Sequence, residues 1–97
     1  MKKLTKEILK FRDQRNWKKH QTPKAMAISL LLESAELLEI FQWTKDNKIP
    51  KSEQKHFEEE LADVFYWILL IAHENKIDIK KALTEKMKKN RKKYPLK

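Results

Sequence analysis

The sequence contains no cysteine and no glycine, and only three prolines in 97 residues. Without cysteine there are no disulfides, no thiolate metal sites and no cysteine nucleophile, and the chain is compatible with a reducing, cytoplasmic location. Without glycine, tight turns that need positive φ are rare, while the many Leu, Ile, Ala, Glu and Lys residues favour long helices. A long hydrophobic run is absent too. The longest nearly apolar stretch, Leu61 to Ala72, is twelve residues and contains Asp63, too short and too charged to cross a bilayer. The N-terminal stretch MKKLTKEILKFRDQRNW alternates apolar with charged residues and lacks the continuous apolar segment of a signal peptide. The expectation is a soluble, all-α chain forming one domain over residues 1–97. A domain of this size buries a modest fraction of its surface, so oligomerisation is expected to add stability.

What is abundant is positive charge, and it is unevenly placed. Of the net +9, residues 80–97 hold nine Lys/Arg against Glu85 alone, a net +8. The basicity therefore sits in one terminal helix and marks a place for anions without naming them. Its simplest reading is a solvated face, since cations also complement the C-terminal end of a helix dipole.

Capping residues and periodicity predict four helices, roughly 5–15, 23–43, 52–74 and 79–93. Thr5 has the N-cap chemistry for the first, with Leu4 and Leu9 in staple positions. Thr22-Pro23 is a strong start signal for the second. The loop signal Asp46–Lys51 separates it from a third helix that Ser52 can cap, Asp78 caps the fourth, and Tyr94-Pro95 ends it. The second and third helices are apolar nearly all round, so they should form the antiparallel centre of a four-helix bundle, covered further by subunit contacts.

Four acids interrupt these apolar helices. Glu33 and Glu36 share a helical face, and Glu60 and Asp63 repeat the spacing on the next helix. Glu-x-x-Glu alone is ordinary on solvated faces, as Glu39, Glu58 and Glu59 are expected to be. Four carboxylates gathered among leucines are costly unless a cation lies among them. Mg²⁺, a hard oxygen-seeking ion that shares its sphere with phosphates, suits that set. Di-iron bundles pair inward glutamates with a histidine in Glu-x-x-His, a unit to which neither Glu36 nor Asp63 belongs.

The sequence resembles the MazG-like all-α nucleotide pyrophosphohydrolase superfamily, in its small single-domain branch that includes the dCTP pyrophosphatases. The likeness rests on Glu33-x-x-Glu36 followed by Glu60-x-x-Asp63, and on flanking motifs along nearly the whole chain: Phe11-Arg12-Asp13-x-Arg15-x-Trp17, His20 and Pro23, Glu39-x-Phe41-Gln42-Trp43, Glu59 to Val64, and Lys86 to Pro95. It implies a helical dimer or tetramer that uses Mg²⁺, with Mn²⁺ able to substitute, held by the four acids. The expected reaction splits a nucleoside triphosphate into monophosphate and pyrophosphate, favouring dCTP-like or modified pyrimidine deoxynucleotides in nucleotide-pool house-cleaning. The resemblance further implies that Trp17, His20, Trp43 and Trp67 line the base and sugar pocket, and that Lys89, Asn90, Lys93 and Tyr94 close over the phosphates. Trp43 and Trp67 could equally fill core, and His20 could equally belong to the turn before Thr22. Two other function classes compete: a nucleic-acid-binding module using the basic helix, and a catalytically silent helical interaction protein. The first leaves the buried acids unexplained, the second predicts no Mg²⁺ binding, and no stable nucleic-acid or membrane partner is expected.

Overall fold

The computed structural model describes residues 1–96. It is all-helical, with no strand among the described residues: α1 Lys2–Gln14, α2 Pro23–Glu39, α3 Gln54–Glu74 and α4 Ile79–Lys93, with short 3-10 turns at Lys18–His20 and Lys51–Glu53. Two caps act as their sequence signals indicate. The Thr22 hydroxyl accepts from the Ala25 N–H at 3.1 Å ahead of Pro23, and the Asp78 carboxylate accepts from the Lys81 N–H at 3.1 Å.

Three boundaries differ from expectation. α1 begins at Lys2, because Lys2-Lys3-Leu4 contains no helix breaker, and Thr5 lies inside it with its N–H donating to the Met1 carbonyl at 2.9 Å. α2 ends at Glu39 rather than near Trp43. Beyond it the chain tightens into i→i−3 bonds from Phe41, Gln42 and Thr44, where burial of Ile40 and an edge contact of Phe41 with Phe57 at 5.8 Å draw it toward α3. Ser52 lies within a 3-10 turn and offers α3 no side-chain cap.

The lack of glycine is met by other residues in the left-handed region: Asn16 (φ 55°), Asn47 (φ 58°) and Lys76 (φ 56°). Asn16 and Lys76 end α1 and α3 in the same way. After α3, the Ile77 N–H reaches the Ala72 carbonyl and the Lys76 N–H that of His73; after α1, Trp17 reaches Arg12 and Asn16 reaches Asp13. These are Schellman closures, in which asparagine tolerates the left-handed site best after glycine. The closure after α1 sets the direction in which Trp17 leaves the helix.

α2 and α3 form the principal pair, with α1 packed on α3. The buried apolar residues are Met26, Ile40, Leu69, Leu70 and Ala72, and Arg12 of α1 is buried beside them. α4 makes only marginal contact with the other three helices, and its Leu83 and Met87 are exposed. The radius of gyration is accordingly 16.4 Å, against about 12–13 Å for a compact domain of this length. Within one chain the bundle is thus three helices with α4 leaning out. Ile28, Leu31, Leu32 and Leu38 of α2 and Leu61 and Phe65 of α3 are also exposed, so the all-round apolar character of these helices is only partly used by the chain itself. Among the described residues, no helix is long and apolar enough to cross a membrane.

Candidate metal centre

The antiparallel packing sets the second half of α2 beside the first half of α3. Glu33, Glu36 and Glu60 each place a carboxylate oxygen so that the three lie within 4.8 Å of one another. Asp63 is outside that trio, yet close enough that its charge pushes up the pKa of both Glu33 and Glu60. Glu33 and Glu60 are half-buried, whereas Glu36 and Asp63 are exposed.

The electrostatics record crowding. Burial raises the Glu33 carboxyl from its ordinary 4.5 to about 7, assisted by the hydrogen bond and charge of Glu36, the charge of Asp63 and a hydrogen bond with Glu60. Burial likewise raises Glu60, together with the hydrogen bond and charge of Glu36 and the charge of Asp63, against a lowering contact from Glu33. Glu33 Oε2 and Glu60 Oε2 are buried without a hydrogen-bond partner among the described residues. Orphaned carboxylate oxygens facing like-charged neighbours are costly. An oxygen-seeking divalent cation resolves both problems, and an all-carboxylate donor set suits Mg²⁺ or Mn²⁺. The residues present therefore fit such an ion.

A pH effect follows. Glu33 binds its proton more tightly in the folded cation-free protein than when unfolded, so the stability it contributes is complete below about pH 4.5 and is lost as pH rises through about 7. Because the group is partly solvated, the effect discounts to about 1 kcal/mol, or roughly 4–8 °C in Tm. Melting curves in chelator from pH 4.5 to 8 should show this loss in the native protein and a flatter profile in Glu33→Gln. Parallel profiles would contradict the assignment.

The sequence reading missed His56. Its Nδ1 lies 2.9 Å from Glu53 Oε2 and its Nε2 3.3 Å from Glu60 Oε1. Binding both carboxylates calls for the imidazolium, and the Glu53 hydrogen bond raises its pKa accordingly. The i, i+3 and i, i+4 spacings of Glu53, His56 and Glu60 carried that signal.

The aromatic residues divide. Phe11 meets Trp17 edge-on at 5.5 Å and Tyr66 at 6.4 Å, and Tyr66 meets Trp67 at 5.2 Å, with the Arg15 guanidinium 3.7 Å above the Phe11 ring. Trp17 and Trp67 thus belong to one cluster, bridged by two residues that sequence reasoning had not grouped with them. Tyr66 and Trp67 follow Asp63 by three and four positions, which carries the cluster along α3 from the acids. Trp43 stands apart at 86% exposure, and His20 is exposed on the 3-10 turn. Lys89, Asn90, Lys93 and Tyr94 lie at the far end of α4, with the Lys93 ammonium 5.4 Å over the Tyr94 ring. Because α4 leans away, the chain's own fold does not bring these four to the acids.

The chain is 32% identical over 91 residues to dCTP pyrophosphatase 1 of Mus musculus, covering 89% of this chain and 54% of that protein. It is likewise 32% identical over 91 residues to dCTP pyrophosphatase 1 of Homo sapiens, covering 88% of this chain and 53% of that protein. It thus spans about half the length of these curated relatives. The crystal structure of a pyrophosphatase from Archaeoglobus fulgidus superposes with a TM-score of 0.92 at 40% identity, over 99% of this chain and 93% of that one. The MazG-like family model matches residues 28–97, a span that holds all four acids, and by that match the chain belongs to the MazG-like family.

Proposed function

We propose that this protein hydrolyses nucleoside triphosphates to monophosphate and pyrophosphate, with Mg²⁺, or Mn²⁺ in its place, held by Glu33, Glu36, Glu60 and Asp63. The observation that carries the reading is the trio of carboxylates within 4.8 Å, two of which keep a buried oxygen without a partner. The names of the relatives, dCTP pyrophosphatase and pyrophosphatase, support the same chemistry.

When bound, the cation would neutralise charge on the phosphate oxygens and acidify its water ligands. The chain's own part is to hold that ion between α2 and α3, and to take a proton on a carboxylate left uncommitted. Trp17 and Trp67, in the aromatic cluster, present flat faces to a base, an interaction of about 1–3 kcal/mol on stacking platforms. His20 and Trp43 complete the base and sugar side. Lys89, Asn90, Lys93 and Tyr94 supply cations and hydrogen-bond donors for the phosphates. The exposed leucines of α2 and the outward-leaning α4 support a homodimer or homotetramer, in which subunit contacts cover those faces. The preferred substrates are dCTP-like or modified pyrimidine deoxynucleotides, hydrolysed in a cytoplasmic, house-cleaning role with no stable nucleic-acid partner.

The test is a pyrophosphate-release screen with Mg²⁺ over canonical and modified triphosphates, on material sized by light scattering. Release from dCTP or a modified pyrimidine analogue ahead of the purines is expected, from a dimer or larger species. No release from any triphosphate would overturn the reading.

A further inference from the structure

The Glu60 carboxylate is split between two environments. Oε1 faces His56 Nε2 at 3.3 Å, while Oε2 is buried without a partner. The opposite side of the imidazole is tied to Glu53 Oε2 at 2.9 Å. Glu60 keeps only 13% side-chain exposure, whereas His56 keeps 53%. The ring is thus a bracket at the solvent edge, with one carboxylate fixing it and the other fixed by it.

We propose that His56 is a positioning residue: by holding Glu60 Oε1 it leaves Oε2 as the single oxygen that Glu60 offers a divalent cation beside Glu33 and Glu36. This rests on the metal reading above and goes beyond it, because it assigns a role to a residue outside the four acids and a denticity to one of them. A carboxylate free to rotate samples several orientations. One whose second oxygen is held in an ion pair, as Oε1 is at 3.3 Å from His56 Nε2, is preset, and outer partners of metal ligands typically contribute 10–100-fold in affinity. His56 and Glu53 lie one and two helical turns N-terminal to Glu60, so the bracket is built from the start of α3 and the 3-10 turn that leads into it.

Charge must be separated from orientation, since an imidazolium near the site also repels a divalent cation. The informative comparison is therefore His56→Gln against His56→Ala. Both side chains are neutral, but the glutamine amide can donate to Glu60 four residues along the helix, and alanine cannot. Titration of each metal-free protein with Mn²⁺ or Mg²⁺ by calorimetry should show His56→Gln binding about tenfold more tightly than His56→Ala, the lower end of the outer-partner range because the bracket is solvated. With matched circular dichroism, equal affinities in the two variants would overturn the positioning role. If the native protein releases pyrophosphate with Mg²⁺ and the variants bind alike, this inference alone fails. If the native protein binds no divalent cation, the metal reading fails with it.

Discussion

Glu36→Gln is expected to lower Mg²⁺-dependent pyrophosphate release by at least about a hundredfold, equivalent to ~2.7 kcal/mol of barrier, while the protein stays folded. Glu36 lies in the carboxylate trio and is exposed, so the amide is sterically accepted and creates no buried cavity. Its charge is a cause of the raised pKa of both Glu33 and Glu60. Removing that charge relieves repulsion in the cation-free state, and the melting temperature in chelator should hold or rise. The stabilisation by added Mg²⁺, which scales with RT ln(1 + [L]/Kd), should shrink or vanish in the same variant. Asp63→Asn should also cost turnover, but with a smaller loss of cation affinity, because Asp63 lies outside the trio. Near-normal activity in Glu36→Gln would sink the assignment of the acids. A melting temperature well below that of the native protein would show Glu36 to be structural instead.

The second large effect concerns stability. Arg12 is 2% exposed and is bonded by its Nη1 to Glu74 Oε1 of α3 and by its Nε to Asp13 at 3.0 Å. It is the charged anchor between α1 and the rest of the fold, at a point where the apolar core is thin. Removing one partner of a buried pair costs about 3–5 kcal/mol, chiefly through the charge left behind. Glu74 keeps 24% side-chain exposure, which places Arg12→Ala at the lower end, about 3 kcal/mol, or roughly 12–24 °C in Tm. The double variant Arg12→Met with Glu74→Leu should recover much of this, since no uncompensated charge remains. Paired thermal melts check both statements. A loss below 1 kcal/mol for Arg12→Ala, or a double variant no better than the single one, would show the bridge to be incidental.

Arg12 illustrates a limit of reading along the chain. Its place in the motif Phe11-Arg12-Asp13 marked it as notable, but its partner is 62 positions away and no local spacing names it. His56 is the reverse case, since its partners are three and four residues away and periodicity could have found them. The helix starts at Pro23 and Ile79 were legible because Thr22 and Asp78 satisfy backbone donors locally. Thr5 and Ser52 carry the same cap chemistry and do not cap, because Lys2 to Leu4 extend α1 freely and Pro50 leads into a 3-10 turn first.

By itself the sequence determined what is local. Lacking glycine and rich in helix formers, it favoured long helices, and i, i+3 spacing committed Glu33 with Glu36, and Glu60 with Asp63, to common faces. The tertiary structure alone decided which carboxylates meet. The rotation and axial offset of α2 against α3 are set by the summed packing of distant residues such as Ile40, Phe41, Phe57 and Leu69. That offset brings Glu60 into contact with Glu33 and Glu36 while leaving Asp63 just outside. It also left α4 in only marginal contact with the other three helices, with Leu83 and Met87 of its apolar stripe still exposed.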